Sequence, residues 1–244
     1  MPDANANIAV AFLANEVNRF SINALTGAIE QEPDLHVKLA FPHPRSAQTC
    51  QAEIDRLLQR VELSGTVVVA FSFMSSALIT TFQLLKYLQA AFANSRQQIL
   101  FVAGGPHASG DAVGTLAIVF IGEGEYSFLS FLHRLSEGRR DFQDIRGLAF
   151  AKDDSTGRGI VRTGRAPLID LTAQYPSIGV KHRRLGAIEI GRECPHACGF
   201  CQTPFLHGAR TRHRQLEDEW VDLESLRWVT EVYVPTILRY CGEA

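Results

Sequence analysis

The sequence lacks any long hydrophobic run and any excess of charge of one sign. No apolar stretch reaches the ~18–20 residues that span a bilayer, and Lys+Arg at 24 against Asp+Glu at 26 gives a formal net charge of -2. These absences argue against a membrane partner and against recognition of nucleic acid by overall charge. The start of the chain also lacks the basic region of a signal peptide, so a cytoplasmic location is expected.

Cysteine is scarce, with 5 residues in 244. Three of them nevertheless fall within GRECPHACGFCQTP (191–204), at the spacing Cys194-x3-Cys198-x2-Cys201. In a reducing compartment, clustered cysteines bind metal or carry out chemistry more often than they form disulfides. No second cysteine pair follows, which disfavours a zinc ribbon or zinc finger.

Three interpretations of the cysteine cluster remain open at this point. His196 or His207 could complete a Cys3His zinc site, or the three cysteines could be structural. An iron–sulfur cluster explains the odd number best, because four ligands close such a site and three leave one iron open. Gly199 lets the backbone bend around the inorganic core, and Phe200 would give it apolar cover.

The first half of the chain alternates between strand-like and helix-like patterns. The patterns predict strands over 8–14, 35–41, 66–73, 98–105 and 116–122, and helices over 15–31, 46–62, 77–93 and 125–138, with Ser46 as an N-cap. This order is typical of a Rossmann-like, doubly wound parallel α/β sheet. Ligands of such sheets bind beyond the carboxyl ends of the strands. Small residues follow three of these strands, in SFMSS (72–76), GGPHASG (104–110) and GEGE (122–125).

The character of the sequence changes after residue 140. A β-hairpin is predicted over 145–164, followed by a linker that ends at residue 186 and contains the basic run KHRR (181–184). A short strand over 187–190 leads into the cysteines, and a helix is predicted over 213–233. The expected division is therefore 1–140, 141–186 and 187–244. KHRR and RTRHR (210–214) are interpreted as solvated residues or contacts to cofactor carboxylates rather than an RNA-binding surface.

The cysteine spacing, with an aromatic residue before the third cysteine, resembles the radical S-adenosylmethionine (SAM) superfamily. An α/β domain with GGPHAS and GEGE in front of that motif is similar to the B12-binding subgroup. The resemblance implies that Cys194, Cys198 and Cys201 hold a [4Fe–4S] cluster whose open iron binds SAM. One electron, from an external donor such as a ferredoxin or flavodoxin, would cleave SAM to a 5′-deoxyadenosyl radical that acts on an unknown small-molecule substrate.

The same resemblance implies a cobalamin site at the carboxyl edge of the sheet. By position in the motif, it would be lined by Ser72, Ser75, Gly104 and Gly105, with Phe200 beside the cluster. No Asp-x-His-x-x-Gly motif is present, and His43 lacks the flanking residues of that motif, so cobalamin would bind without a histidine ligand to cobalt. His107 is expected to be a loop residue near the cofactor edge.

The chain departs from the family in length. A complete (β/α)8 barrel takes ~200 residues or more, and far fewer follow Gly186, so a chain truncated within its radical SAM domain is expected. The family's methyl transfer or rearrangement chemistry is therefore expected of the complete enzyme more than of this chain. Two alternatives stay open: a non-catalytic module that binds cobalamin or a small molecule and keeps a vestigial cysteine motif, and an RNA-modifying radical SAM protein.

Overall fold

The computed structural model describes residues 6–14, 18–44, 46–112, 118–151, 159–171, 178–184, 189, 191–196, 198–208 and 210–214. These residues form a seven-stranded sheet in the order β2-β1-β3-β4-β5-β6-β7. The strands are β1 (Ala6–Ala14), β2 (Val37–Ala40), β3 (Val61–Ser72), β4 (Gln98–Gly104), β5 (Ile118–Phe120), β6 (Leu148–Ala151) and β7 (Ile160–Arg162). The first five strands pair in parallel, which confirms the predicted α/β sheet.

Helices cover both faces of this sheet. They are α1 (Arg19–Glu30), α2 (Ala47–Leu58), α3 (Leu78–Ala91), α4 (Gly105–Gly110) and α5 (Glu125–Ser136), with a short 3₁₀ turn at Ser75–Ala77. Alternate residues of β3 point to opposite sides, as the pleat requires. Val67 and Val69 pack in the cluster that contains Leu57 of α2 and Leu88 of α3. Val68 packs in the second cluster, with residues of α1 and α5.

The helix ends follow local sequence signals. Ser46 begins α2 as its N-cap, and its side chain accepts a hydrogen bond from the backbone N–H of Thr49, as predicted. α5 ends at Ser136, and Gly138 follows with a φ of 72°, a conformation that favours glycine. The short helix α4 was not predicted, because its Gly- and Pro-containing sequence reads as a loop. Pro106 fits there because proline is tolerated in the first turn of a helix.

The predicted hairpin is present and extends the main sheet. β6 pairs antiparallel with both β5 and β7, so the hairpin continues the sheet beyond its parallel part. The division of the chain at residue 140 stays a prediction. A separate two-stranded sheet joins β8 (Gly191–Arg192) to β9 (Arg212–His213), with helix α6 (Thr203–His207) between them.

The predicted strand over 187–190 and helix over 213–233 fall outside the described residues, apart from Glu189, His213 and Arg214. Within the described ranges, no helix has both the length and the apolar character needed to cross a bilayer.

Candidate functional site

A cavity opens at the carboxyl edge of the parallel sheet. β2 and β3, which follow β1 in the chain, pair with opposite sides of β1. The strand order therefore switches between β1 and β3. The cavity has a volume of about 330 Å³ and lies at this switch point, where α/β sheets bind ligands. Its apolar lining includes Phe12, Leu25, Val102, Phe120 and Phe128, so it fits a ligand with an apolar body.

Three of the predicted cobalamin-site residues line this cavity, namely Ser72, Gly104 and Gly105. Ser72 ends β3 and its Oγ accepts a hydrogen bond of 3.4 Å from Asn18 Nδ2. Gly105 has a φ of 88°, and a Cβ on this residue would lie 3.0 Å from Ser72 Oγ and from the backbone of Phe73. Glycine therefore allows β4 to turn into α4 directly at the cavity edge.

Ser75 lies elsewhere, on the exposed 3₁₀ turn, with its Oγ 2.9 Å from His107 Nδ1. Neither Ser75 nor His107 lines the cavity in the described part of the chain. His43 is also exposed, and its backbone carbonyl accepts a hydrogen bond from Cys50 Sγ. A contact between Ser75 and a ligand stays a prediction.

The cysteine loop runs from β8 to α6. Its last turn is closed by a 3.0 Å hydrogen bond from Cys201 N to Cys198 O. Cys198 is exposed, while Cys194 and Cys201 are half-buried, and all three are free thiols. Hydrogen bonds from the side chain and backbone of Thr203 lower the pKa of Cys201, which favours the thiolate that binds metal. Phe200 is 95% exposed, so its cover of a cluster stays a prediction.

The positions of the three cysteine sulfurs bear on whether they would bind one metal ion or a cluster of several irons. Among the described residues, the one group of three potential ligand atoms within 4.8 Å of one another is Glu123, Glu193 and His207. The three cysteine sulfurs therefore do not converge as the ligands of one zinc ion would, and His207 faces carboxylates instead. In an iron–sulfur cube each cysteine binds a different iron, so the donor set fits a cluster without such convergence.

The cysteine loop packs against the α/β unit. Gln202 Nε2 donates a 2.8 Å hydrogen bond to the carbonyl of Pro106 in α4. The contact is so close that a Cβ on Gly110 would lie 2.1 Å from Gln202 Nε2. The residue next to the third cysteine is thereby fastened to the GGPHASG segment that borders the cavity.

A cluster of seven charged side chains joins the α/β unit and the segments on either side of the cysteine loop at the cavity. We call it the arginine–glutamate cluster. Its members are Glu123, Glu125, Glu189, Glu193, Arg192, Arg212 and Arg214. Arg192 Nη2 donates to Glu125 Oε1 at 2.6 Å, and Arg192 Nε donates to Glu189 Oε1 at 2.7 Å. Burial would lower the pKa of Arg192, but the two carboxylates raise it above its usual value. Arg192 therefore stays charged.

The second half of the arginine–glutamate cluster centres on Arg212 of β9. Its Nη2 donates to Glu123 and, at 2.8 Å, to Glu193 Oε1, and its Nη1 donates to the carbonyl of Ile169 at 2.6 Å. The backbone N–H of Ile169 in turn donates to Glu123 Oε2 at 3.0 Å. Glu123 and Glu193 expose only 4% and 2% of their side chains, so these are largely desolvated ion pairs.

Sequence reasoning missed this cluster. GEGE was identified only as a turn after the fifth strand, and RTRHR only as a basic run, although the structure pairs Glu123 of the former with Arg212 of the latter. His207 was considered only as a zinc ligand. It lines the cavity, and burial lowers its pKa. Its Nδ1 is buried and has no hydrogen-bond partner among the described residues. The available signal was two glutamates directly after a strand and three arginines around the cysteines.

Comparison with solved structures identifies the architecture. The cobalamin-dependent S-adenosylmethionine radical enzyme OxsB, with aqua-cobalamin and S-adenosylmethionine bound, superposes with a TM-score of 0.68 over 91% of this chain. The OxsB structure with aqua-cobalamin alone gives the same TM-score, and the apo structure gives 0.64 over 93% of the chain. The chain has the fold of the part of OxsB that it matches.

The likeness to OxsB is one of fold, since the sequences are 16% and, for the apo structure, 15% identical. The chain spans 32% of the length of OxsB. No family model matches the sequence, and no curated protein matches it.

Proposed function

We propose that this chain is the cobalamin-binding and cluster-bearing part of a radical SAM protein. Cys194, Cys198 and Cys201 would hold a [4Fe–4S] cluster, and the cavity beside Ser72, Gly104 and Gly105 would hold part of a cobalamin. When bound, the cluster would pass one electron to S-adenosylmethionine, the source of the radical or of the methyl group, and cobalamin could carry the methyl group, while the protein orients these groups. An external donor, such as a ferredoxin or flavodoxin, would supply electrons. The substrate would be a small molecule.

One observation carries this proposal: the cavity and the cysteine loop share one edge of the sheet. Glu193, which immediately precedes Cys194, lines the same cavity as Ser72 and Gly104. The arginine–glutamate cluster and the Gln202–Pro106 hydrogen bond hold the loop there. The likeness in fold to OxsB, one of whose structures contains both aqua-cobalamin and S-adenosylmethionine, supports the same pair of cofactors.

The residues of the chain have separate tasks in this proposal. The apolar floor of the cavity excludes water and would accept a flat apolar ring, such as the dimethylbenzimidazole of cobalamin. Gly105 allows the backbone to approach that ring closely. Thr203 stabilises the Cys201 thiolate, and Arg192 and Gln202 orient the loop from both sides of the three sulfurs.

A second candidate is a cobalamin or small-molecule carrier without a cluster. It is favoured by one observation: most residues that line the cavity come from the α/β unit, between Phe12 and Phe128. The cavity thus does not depend on the cysteines for most of its wall.

Two variants test both candidates with the full chain. Anaerobic reconstitution with iron and sulfide should give the visible absorption of an iron–sulfur cluster, and Cys194→Ala should lose it while retaining cobalamin. Gly104 has an extended backbone, and a Cβ there would meet nothing closer than 3.8 Å. Gly104→Val should therefore fill the cavity edge without distorting the strand, weaken cobalamin binding and leave the cluster unchanged.

Each variant is thereby the control for the other. If the unaltered protein binds cobalamin but no cluster can be reconstituted, the second candidate, a carrier without a cluster, is favoured over the radical SAM protein. Cobalamin affinity unchanged in Gly104→Val would remove the cavity from the proposal.

A further inference from the structure

Two arginines, Arg19 and Arg184, contact aromatic rings at or next to the cavity, and neither has an acidic partner in the part of the chain that the structure describes. Arg19 opens helix α1, and its Cζ lies 5.2 Å from the centre of the ring of Phe20, which lines the cavity. Arg184 ends the KHRR run, and its Cζ lies 4.4 Å from the centre of the Phe41 ring. Phe41 stacks at 5.9 Å on Phe12, another residue that lines the cavity. Both guanidinium groups therefore adjoin the ring system that borders the cavity.

The chain holds Arg184 in place with a tight hairpin. Gly179 and Arg184 exchange two backbone hydrogen bonds, from Arg184 N to Gly179 O at 2.7 Å and from Gly179 N to Arg184 O at 3.2 Å. Glu30 of α1 fastens the turn by accepting hydrogen bonds from the backbone N–H groups of Lys181 and His182. Arg184 is thus presented by a fixed element and is not part of a freely solvated run.

The charge of Arg184 is poorly compensated. Its side chain is half-buried, and its Nε is a buried donor for which the described residues supply no hydrogen-bond acceptor. In the described ranges no carboxylate pairs with Arg184 or Arg19. Burial and the neighbouring positive charge of Arg19 both lower the pKa of Arg184, and both therefore disfavour its charged form. Buried donors are normally satisfied, and an anion supplied by a ligand would satisfy this one and offset the repulsion.

We propose that Arg184 and Arg19 bind an oxyanion, a phosphate or a carboxylate, carried by a ligand whose apolar part occupies the cavity. The planar guanidinium fork matches such groups with paired hydrogen bonds. The Phe41 ring holds the Arg184 plane from one side by a cation–π contact. This site shares no residue with the cysteine motif or with the arginine–glutamate cluster, and it does not require a corrinoid.

The test uses the full chain and inorganic phosphate, titrated at constant ionic strength with chloride as the replaced anion. Isothermal titration calorimetry should detect binding to the unaltered protein, and Arg184→Gln should weaken it by about tenfold or more. Arg183→Gln is the matched control, because Arg183 is an exposed neighbour in the same hairpin. Its phosphate affinity should be unchanged.

Melting temperatures give a second readout. Phosphate should raise the melting temperature of the unaltered protein and of Arg183→Gln, but not of Arg184→Gln, because a ligand stabilises only the state that binds it. Equal phosphate binding by Arg184→Gln and the unaltered protein would overturn the proposal. Absence of phosphate binding to the unaltered protein would overturn it as well.

Two corrinoids then identify the source of the anion: cobalamin, which carries a phosphodiester, and cobinamide, which lacks it. If Arg184→Gln weakens cobalamin binding but not cobinamide binding, the oxyanion is the cofactor phosphate. If both corrinoids bind equally well to the variant that has lost phosphate binding, the site serves the acidic group of another ligand. If neither corrinoid binds while phosphate still does, the proposed function fails and the anion site stands.

Discussion

At the scale of the residue, two of the cysteines that the structure describes differ in chemistry although their side chains are identical. Cys50 lies on the buried face of α2, and burial raises its pKa to about 11. The pKa of Cys201 is lowered by its hydrogen bonds with Thr203. Thiol reactivity follows the thiolate fraction and access to solvent, so the two residues lie at opposite ends of the scale.

Alkylation with iodoacetamide at neutral pH should therefore separate them. We expect rapid labelling of Cys201 and none of Cys50 until the protein is unfolded, as followed by peptide mass spectrometry. Thr203→Val removes the hydroxyl and should slow labelling of Cys201 several-fold, without affecting Cys50. Unchanged labelling of Cys201 in Thr203→Val would show that the hydroxyl does not stabilise the thiolate.

Single residues also show what the sequence could and could not predict about the site. The three cysteines could be predicted because their spacing is local, and Ser72, Gly104 and Gly105 were implied by the resemblance of their segments to the B12-binding subgroup. The arginine–glutamate cluster was missed because its pairs join distant positions: Arg192 is 67 residues from Glu125, and Arg212 is 89 from Glu123. A periodic pattern carries no information about such pairs.

At the scale of the element, prediction succeeded wherever one local cause dominated. The apolar run over 66–73, most of which lies in β3, was predicted as a strand buried on both faces because its sequence fits that environment, and Ser46 was predicted as a cap from its own chemistry. Helix α4 was missed because glycine and proline normally indicate a turn, and only its packing against β5 and Gln202 reveals a helix. The pairing of β6 with β5 was also unpredicted, since edge pairing is a long-range event.

The hairpin at 179–184 is an element whose docking depends on pH. Glu30 accepts hydrogen bonds of 2.7 Å from His182 Nδ1, 3.0 Å from His182 N and 3.1 Å from Lys181 N. Burial would raise the pKa of Glu30, but these hydrogen bonds hold it below its usual value of 4.5. The Glu30 carboxyl is protonated more readily in the unfolded chain than in the folded protein. The stability that the ionised Glu30 contributes is therefore complete above pH 4.5 and is lost as the pH falls through the lower pKa of the folded state.

Glu30→Gln should lower the free energy of unfolding by about 1–2 kcal/mol at pH 7, as measured by urea denaturation. The difference in the free energy of unfolding between the two proteins should shrink as the pH falls below 4.5, because only the unaltered protein has a carboxyl at residue 30 that can be protonated. Glu62→Gln, at an exposed position of β3, is the control and should show no such convergence. A difference that stays constant down to pH 3 would contradict the role given to the Glu30 carboxylate.

At the scale of the whole molecule, the fold brings distant segments to one edge of one sheet. β1, β3, β4 and β5 end at the cavity, residues of α1 line part of its wall, and Arg192, Glu193 and His207, beside the cysteines, line another part. The 179–184 hairpin docks on Glu30 of α1. The packing of the cysteine loop depends on charge more than on apolar area, since the described contacts are mainly the arginine–glutamate cluster and the Gln202 hydrogen bond. The α/β unit is instead held by two apolar clusters.

This difference predicts that the cysteine loop can be released without unfolding the sheet. Glu123→Gln and Arg212→Gln should each raise amide hydrogen exchange over 191–214 and leave β1, β3 and β4 protected, because local opening follows local contacts.

In a double-mutant cycle by urea denaturation, the two changes should couple by about 1–3 kcal/mol, as neighbours in one desolvated ion-pair network do. The exposed pair Glu137–Arg139, at 3.4 Å with 57% and 50% of the two side chains exposed, should show no measurable coupling. If the sheet and the cysteine loop instead lose protection together in both variants, the loop is not a separately held element but part of one cooperative unit, and the charged cluster stabilises the whole fold.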